Sequence, residues 1–238
     1  MIKVENVTKK FGQTKALDDL TMTVPKGSVY GLMGVNGAGK TTIIRHLAGF
    51  LIQDEGTITV EGEPVADNEG LKERMLFIPD EVYFFRGYTM DETAAYFRRI
   101  YPGWDQERFE HMASDFGLNR DQNMGKFSRG MRKQAAFCLA MSAKPDYLVL
   151  DEPVDGLDPI VRHKLRHYIF DDVADREMTV LISSHNAKEM EDICNYIGLM
   201  RNGKMVYEGD LMELDNVTVE SLFLEKLGDI YEGGEIDA

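Results

Sequence analysis

The stretch Ser28-Val-Tyr-Gly-Leu-Met-Gly34-Val-Asn-Gly-Ala-Gly39-Lys40-Thr41 decides how this chain reads. It opens as a short apolar run, turns into glycines and ends at Lys40, after which Ile43, Ile44 and Leu47 recur at helical spacing toward Phe50. A strand is expected to run straight into a Gly-rich turn and then a helix. The spacing G-x-x-x-x-G-K-[ST] is what a diphosphate requires. A loop wrapped around it must turn consecutive backbone N–H groups inward, which glycines permit because they lack Cβ, and the following helix adds its N-terminal dipole. Asn36, Gly37, Ala38, Gly39, Lys40, Thr41 and Thr42 are the candidate nucleotide contacts. Lys40 is expected to reach the β and γ phosphates, and the Thr41 hydroxyl to face Mg2+.

Further along, Tyr147-Leu-Val-Leu-Asp151-Glu152-Pro153 is a second buried-strand pattern, and it ends in two adjacent carboxylates. Asp151, at the carboxyl end of that strand, is placed to hold Mg2+. Glu152 is expected to project differently, because neighbouring strand residues point to opposite faces, and could then take a proton from an attacking water. Between the two motifs, Phe127-Ser128-Arg129-Gly130-Met131 precedes an amphipathic helix. Serine, glycine and a helix start make an anion site, although the same residues are also ordinary capping chemistry.

Around these motifs the chain has 238 residues, 43% of them hydrophobic, which suffices for one or two packed domains. Its 27 Lys and Arg face 41 Asp and Glu, a net charge of −14 that argues against nucleic acid as the main partner. Cys138 and Cys194 lie in apolar contexts without CxxC spacing, which excludes a disulfide scaffold and a cysteine-rich zinc site. No apolar run approaches the roughly 18–20 residues that span a bilayer, and the N-terminus has no signal core, so direct membrane insertion is not expected.

Strand patterns at Ile2–Val7, Leu20–Val24 and Gly56–Glu61 give way, from Thr89 to Ala143, to long amphipathic segments. Strands return at Tyr147–Leu150, Val180–Ser183 and Tyr196–Arg201, alternating with helical segments. The expectation is an α/β chain with a largely parallel buried sheet and a helical insertion. Its boundaries are a core at 1–79 and 145–228, a helical subdomain at 80–144 and an acidic tail at 229–238.

The order of these motifs, followed by Asp155-Gly-Leu-Asp158-Pro159 and Ser183-Ser184-His185, resembles the ATP-binding cassette family over nearly the whole chain. The resemblance implies a P-loop NTPase fold of RecA type, with a mostly parallel sheet, an antiparallel N-terminal β part and an inserted α-helical subdomain. It makes Gly34–Thr41 the Walker A motif, Phe127–Met131 the signature loop, Tyr147–Glu152 Walker B, Leu157-Asp158 the D-loop and His185 the γ-phosphate sensor. Lys40, Glu152 and His185 are then the catalytic set, with ATP and Mg2+ as cofactors. Phe11, in Lys-Lys-Phe-Gly, looks like the aromatic that stacks on adenine, although a lone Phe beside a strand is also ordinary packing.

Two motifs depart from the family pattern. Its signature is usually Leu-Ser-Gly-Gly-Gln, so Arg129 and Met131 replace a Gly and the Gln, while Ser128 and Gly130 are kept to offer a hydroxyl and a backbone N–H. After Met75-Leu-Phe-Ile-Pro79 the family carries a Gln, and here Asp80 stands in its place. An ionised Asp only accepts hydrogen bonds, so Asp80 is expected either to bind Mg2+ or to make water positioning depend on a partner-driven shift.

The resemblance also implies partners. Ser128 and Gly130 of one subunit would close over ATP held at Lys40 of a second copy, in a head-to-tail homodimer. The aromatic run Val82-Tyr-Phe-Phe85 and Tyr88-Thr-Met90 reads equally as core beneath the helical insert or as a groove for a transmembrane permease subunit. In the latter case the chain is cytoplasmic and peripheral on the inner face of the cell membrane. The short stretch after Leu211 and Val219–Leu227 leaves no space for an added regulatory domain, which tilts the expectation toward export, with amphipathic or antimicrobial peptides as cargo. The alternative is a soluble ABC ATPase acting on ribosomes or DNA, which the single cassette and the −14 charge disfavour. A P-loop nucleotide kinase would lack the set of Ser128–Met131, Asp158 and His185.

Overall fold

The computed structural model describes residues 1–214 and 217–228, so the acidic tail at 229–238 lies outside the described residues. The first half comprises β1 (Ile2–Phe11), β2 (Thr14–Val24), β3 (Val29–Gly34), α1 (Lys40–Leu47), β4 (Glu55–Val60), β5 (Glu63–Pro64), α2 (Glu69–Arg74) and β6 (Met75–Ile78). Then come α3 (Met90–Ile100), α4 (Gln106–Asp115) and α5 (Arg129–Ser142). The chain continues through β7 (Tyr147–Asp151), α6 (Pro159–Arg176), β8 (Thr179–Ser184), α7 (Ala187–Ile193), β9 (Tyr196–Arg201), β10 (Lys204–Asp210) and α8 (Val219–Leu227).

The strands form two sheets, an antiparallel one ordered β2-β1-β4-β5 and a six-stranded one ordered β10-β9-β3-β8-β7-β6. In the second, β9, β3, β8, β7 and β6 are all parallel. Every residue of β3, β7 and β8 is buried, because the sheet is covered on both faces, and this is why the central residues of these strands read as apolar runs. Their side chains divide by strand alternation. Tyr30, Leu32, Tyr147 and Val149 pack with Ile43, Ile44 and Leu47 of α1 and with the antiparallel sheet. Val29, Met33, Leu148 and Leu150 pack on the other face with Met90, Phe109, Met112 and Phe137 from α3, α4 and α5.

The strand β10 is not marked by its own sequence pattern. It returns antiparallel on β9 through Asn202-Gly203, both at positive φ (49° and 77°), the geometry a tight hairpin requires. As an edge strand it alternates exposed and half-buried positions and carries little apolar signal.

The helices begin where their capping chemistry dictates. Thr89 and Glu92 form a reciprocal capping box for α3, and Asp105 caps α4. A buried ion triad ties the helical segment to α6. Arg108 (2.7 Å) and Arg176 (2.8 Å) both pair with Asp172, whose side chain is almost fully enclosed. Among the described residues no helix is long and apolar enough to cross a membrane.

Candidate nucleotide site

The loop that should hold phosphate joins β3 to α1. Gly39 sits at φ 107°, and a Cβ there would come within 2.6 Å of the Ala16 carbonyl oxygen, so only glycine fits. Unlike the others, α1 has no side-chain cap, and its first turn carries no acidic residue. Each of the other seven described α-helices has a capping side chain, contributed by Asn68, Thr89, Asp105, Ser128, Asp158, Asn186 and Thr218. The first N–H groups of α1 are therefore left for an anion, which its dipole favours.

Asn36 and Gly37 are exposed at the tip of the loop, Ala38 is buried, Gly39 and Thr42 are half-buried and Thr41 is exposed. Lys40 is buried, and its ammonium donates to the Gly34 carbonyl at 2.7 Å and to that of Val35 at 3.5 Å. Burial lowers its pKa, and the nearby carboxylates of Glu152 and Asp151 partly offset this, so the cation and both acids share one site. Asp151 is buried at the end of β7, where strand alternation puts it on the α1 side, and its Oδ1 accepts from the Ser183 hydroxyl. The Thr41 hydroxyl and the Asp151 carboxylate are hard oxygen donors of the kind that would hold Mg2+.

Glu152 reaches the site by a route other than strand alternation. The strand ends at Asp151, and Glu152 has φ 47°, so a left-handed backbone sets the direction of its side chain. Its N–H donates to the Ser183 carbonyl and hydroxyl, each at 3.2 Å, and both its carboxylate oxygens lie 3.1 Å from Nδ1 of His185. The fold thus brings together Lys40, Asp151, Glu152 and His185 from four elements and turns.

Other expected residues lie apart from this group. Ser128 caps α5 by accepting from the Met131 N–H at 3.2 Å, and Gly130 packs against Leu157 and Gly156. Among the described residues no hydrogen bond or ion pair joins either of them to the Gly34–Thr41 loop. Asp158 caps α6 through the N–H groups of Ile160 and Val161, both at 3.0 Å, a role that accounts for it structurally. Phe11 is 49% exposed at the end of β1, outside the core, with the Lys9 ammonium 5.8 Å from its ring.

Asp80, expected either to bind Mg2+ or to make water positioning depend on a partner-driven shift, is paired with two cations of its own chain. Its Oδ1 receives Nζ of Lys133 and Nη2 of Arg129, both at 2.8 Å. Burial pushes Asp80 up, but these two cations together outweigh it and hold its pKa below the ordinary carboxylate value. The carboxylate is thus already neutralised, and it pairs with Arg129, from the other motif that departs from the family pattern. Lys133 and the Ser183 hydroxyl went unnoticed in the sequence. The available signal for Lys133 was a lysine one helical turn beyond Arg129, in a register otherwise filled by residues such as Phe137 and Ala140.

The model of the family described as ABC transporter matches residues 17–155. The chain is 31% identical over 214 residues to the ABC transporter ATP-binding protein YtrB of Bacillus subtilis (strain 168), covering 90% of this chain and 73% of that one. It is 33% identical to the bacitracin transport ATP-binding protein BcrA of Bacillus licheniformis, over 87% and 69% of the two chains. Its fold superposes with a TM-score of 0.86 on a solved ATP-binding subunit of an ABC transporter, which is 25% identical and covers 94% of this chain and 98% of its own. A phosphate loop facing two carboxylates and a histidine, in a chain so similar to transporter subunits, has one reading: the chain belongs to the ABC transporter family and is one of its ATP-binding, ATP-hydrolysing subunits.

Proposed function

We propose that this chain powers export through a separate transmembrane permease, working as a head-to-tail homodimer around two ATP at the inner face of the cell membrane. One observation carries the dimer. Ser128 is engaged in capping α5 and Gly130 packs beside Leu157, and among the described residues neither bonds to the chain's own phosphate loop, so one chain offers half a site. Phosphoryl transfer to water depends on positioning and charge neutralisation, which a half-site supplies poorly. A second copy supplies the missing half. In it Lys40 and the α1 N-terminus hold the phosphates, Phe11 stacks on the base, Glu152 takes the proton of the attacking water and His185 contacts the γ-phosphate. Mg2+, held by Thr41 and Asp151, would neutralise charge on the β and γ phosphates.

The experiment is the oligomeric state of the full chain carrying Glu152→Gln. It is expected to elute as a dimer with ATP and as a monomer with ADP, and Ser128→Arg is expected to abolish the dimer while ATP still binds. A chain that stays monomeric at saturating ATP overturns this reading.

The aromatic run after Asp80 divides between the two readings weighed for it. Val82 and Phe84 are half-buried against the helical core, whereas Tyr83 (79%) and Phe85 (58%) face outward. Phe85 clusters with exposed Tyr88 at 5.5 Å and Tyr96 at 5.9 Å. An exposed aromatic cluster of this kind supports permease docking on the segment 80–144, with 1–79 and 145–228 as the core. Tyr83→Ala together with Phe85→Ala is expected to reduce copurification with the permease about tenfold or more, with ATP affinity unchanged. Unchanged copurification would place the docking surface elsewhere. The relative named for bacitracin transport agrees with the expected cargo of amphipathic or antimicrobial peptides.

A further inference from the structure

Lys133 is a charged side chain that is 3% exposed, a placement that requires close compensation. An ammonium has three N–H donors, and three oxygens surround this one. They are Asp80 Oδ1 at 2.8 Å, the Glu152 carbonyl at 2.6 Å and the Asp155 carbonyl at 3.3 Å. The acceptors belong to the loop after β6, the residue after β7 and the turn before α6, so the side chain joins three segments and contributes no bond within its own helix.

What it fixes most directly is the peptide of Glu152. A non-glycine residue at φ 47° is strained and persists where its surroundings over-determine it. Here Ser183 holds the N–H and Lys133 holds the carbonyl. With both ends of the residue fixed, its Cα–Cβ bond has one direction, and that direction carries the carboxylate to His185.

We propose that Lys133 is a positioning residue for Glu152 and that Asp80 is its counter-charge, so that a displacement of the loop bearing Asp80 reaches Glu152 through one ammonium. The proposal rests on Glu152 acting as the general base. Arg129 is secondary. Its guanidinium shares the same Asp80 oxygen and also reaches Asp155 Oδ2 at 3.2 Å, but its side chain is 58% exposed, where such pairs contribute little.

The test uses the full chain, with equilibrium ATP binding, single-turnover hydrolysis at saturating ATP and a Mg2+ titration. Asp80→Asn alters a partly exposed carboxylate and is expected to leave ATP affinity within about threefold while the hydrolysis rate falls about tenfold or more. Lys133→Gln is expected to lower the rate about 100-fold with a similarly small change in affinity. In a Glu152→Gln background neither substitution should lower the residual rate by more than about twofold, because residues that act as a unit are not additive.

A wild-type rate for Asp80→Asn overturns the proposal, and so does a loss that persists undiminished in the Glu152→Gln background. An altered Mg2+ requirement for Asp80→Asn, with the rate restored at saturating Mg2+, returns Asp80 to the metal and equally overturns it. All three leave the base assignment standing. Near-normal hydrolysis by Glu152→Gln alone removes that assignment itself. Should Lys133→Gln fail to fold, Asp80→Asn carries the test.

Discussion

Glu152→Gln is expected to lower ATP turnover by about 10²- to 10⁴-fold while ATP still binds. Glutamine keeps the shape of the side chain and an oxygen for His185, and it leaves the clamped left-handed peptide in place, so the local structure has no reason to move. What it removes is the ability to accept a proton from water. The loss should therefore fall on the rate of hydrolysis rather than on affinity. Steady-state turnover and equilibrium ATP binding on the same preparation separate the two, and near-normal turnover would end the role assigned to Glu152.

Lys40→Ala is expected to act on the other quantity, weakening ATP binding by about 10²- to 10³-fold, since each hydrogen bond to a charged group contributes about 1.5–3 kcal/mol. The Lys40 ammonium is already held over its own loop by the Gly34 and Val35 carbonyls, so little ordering is left to be done when phosphate arrives. Arginine should not rescue it, because a planar fork does not replace a compact point charge in a buried pocket. Because burial lowers the pKa of Lys40, affinity in the wild-type chain should decline at a less alkaline pH than an ordinary lysine would dictate. Calorimetric titration with ATP across alkaline pH checks both points. The melting temperature without nucleotide should change little, whereas the stabilisation conferred by ATP should disappear.

How much of this was legible follows from how local each feature is. The strand, loop and helix at Val29–Leu47 could be read because its requirements fall on consecutive residues, and β7 and β8 because a strand buried on both faces carries a continuous apolar stretch at its centre. The helical character of Thr89–Ala143 was legible because the caps of its helices lie beside their apolar faces. The strand β10 escaped because an edge strand shows water half its surface, and the Asn202-Gly203 turn was its only marker. The direction of Glu152 was not legible from strand alternation, which stops one residue before it, because a left-handed backbone sets it instead.

The fate of a charge depends on neighbours that sequence distance conceals. Asp80, free of its surroundings, is an acid near phosphate and a reasonable metal ligand. In the folded chain it faces Arg129 and Lys133, some fifty residues on, because α5 packs across the end of β6 and β7. The amino-acid sequence alone determined the Gly-rich loop between strand and helix, the paired acids Asp151 and Glu152 at a strand end and the family, all of which depend on backbone freedom and side-chain type within a few adjacent residues. The tertiary structure alone decided that Asp80 and Arg129, one from each departing motif, pair with each other, and that a buried lysine holds the peptide of Glu152. Pairing energies depend on distance and burial, and these exist only once the segments have packed together.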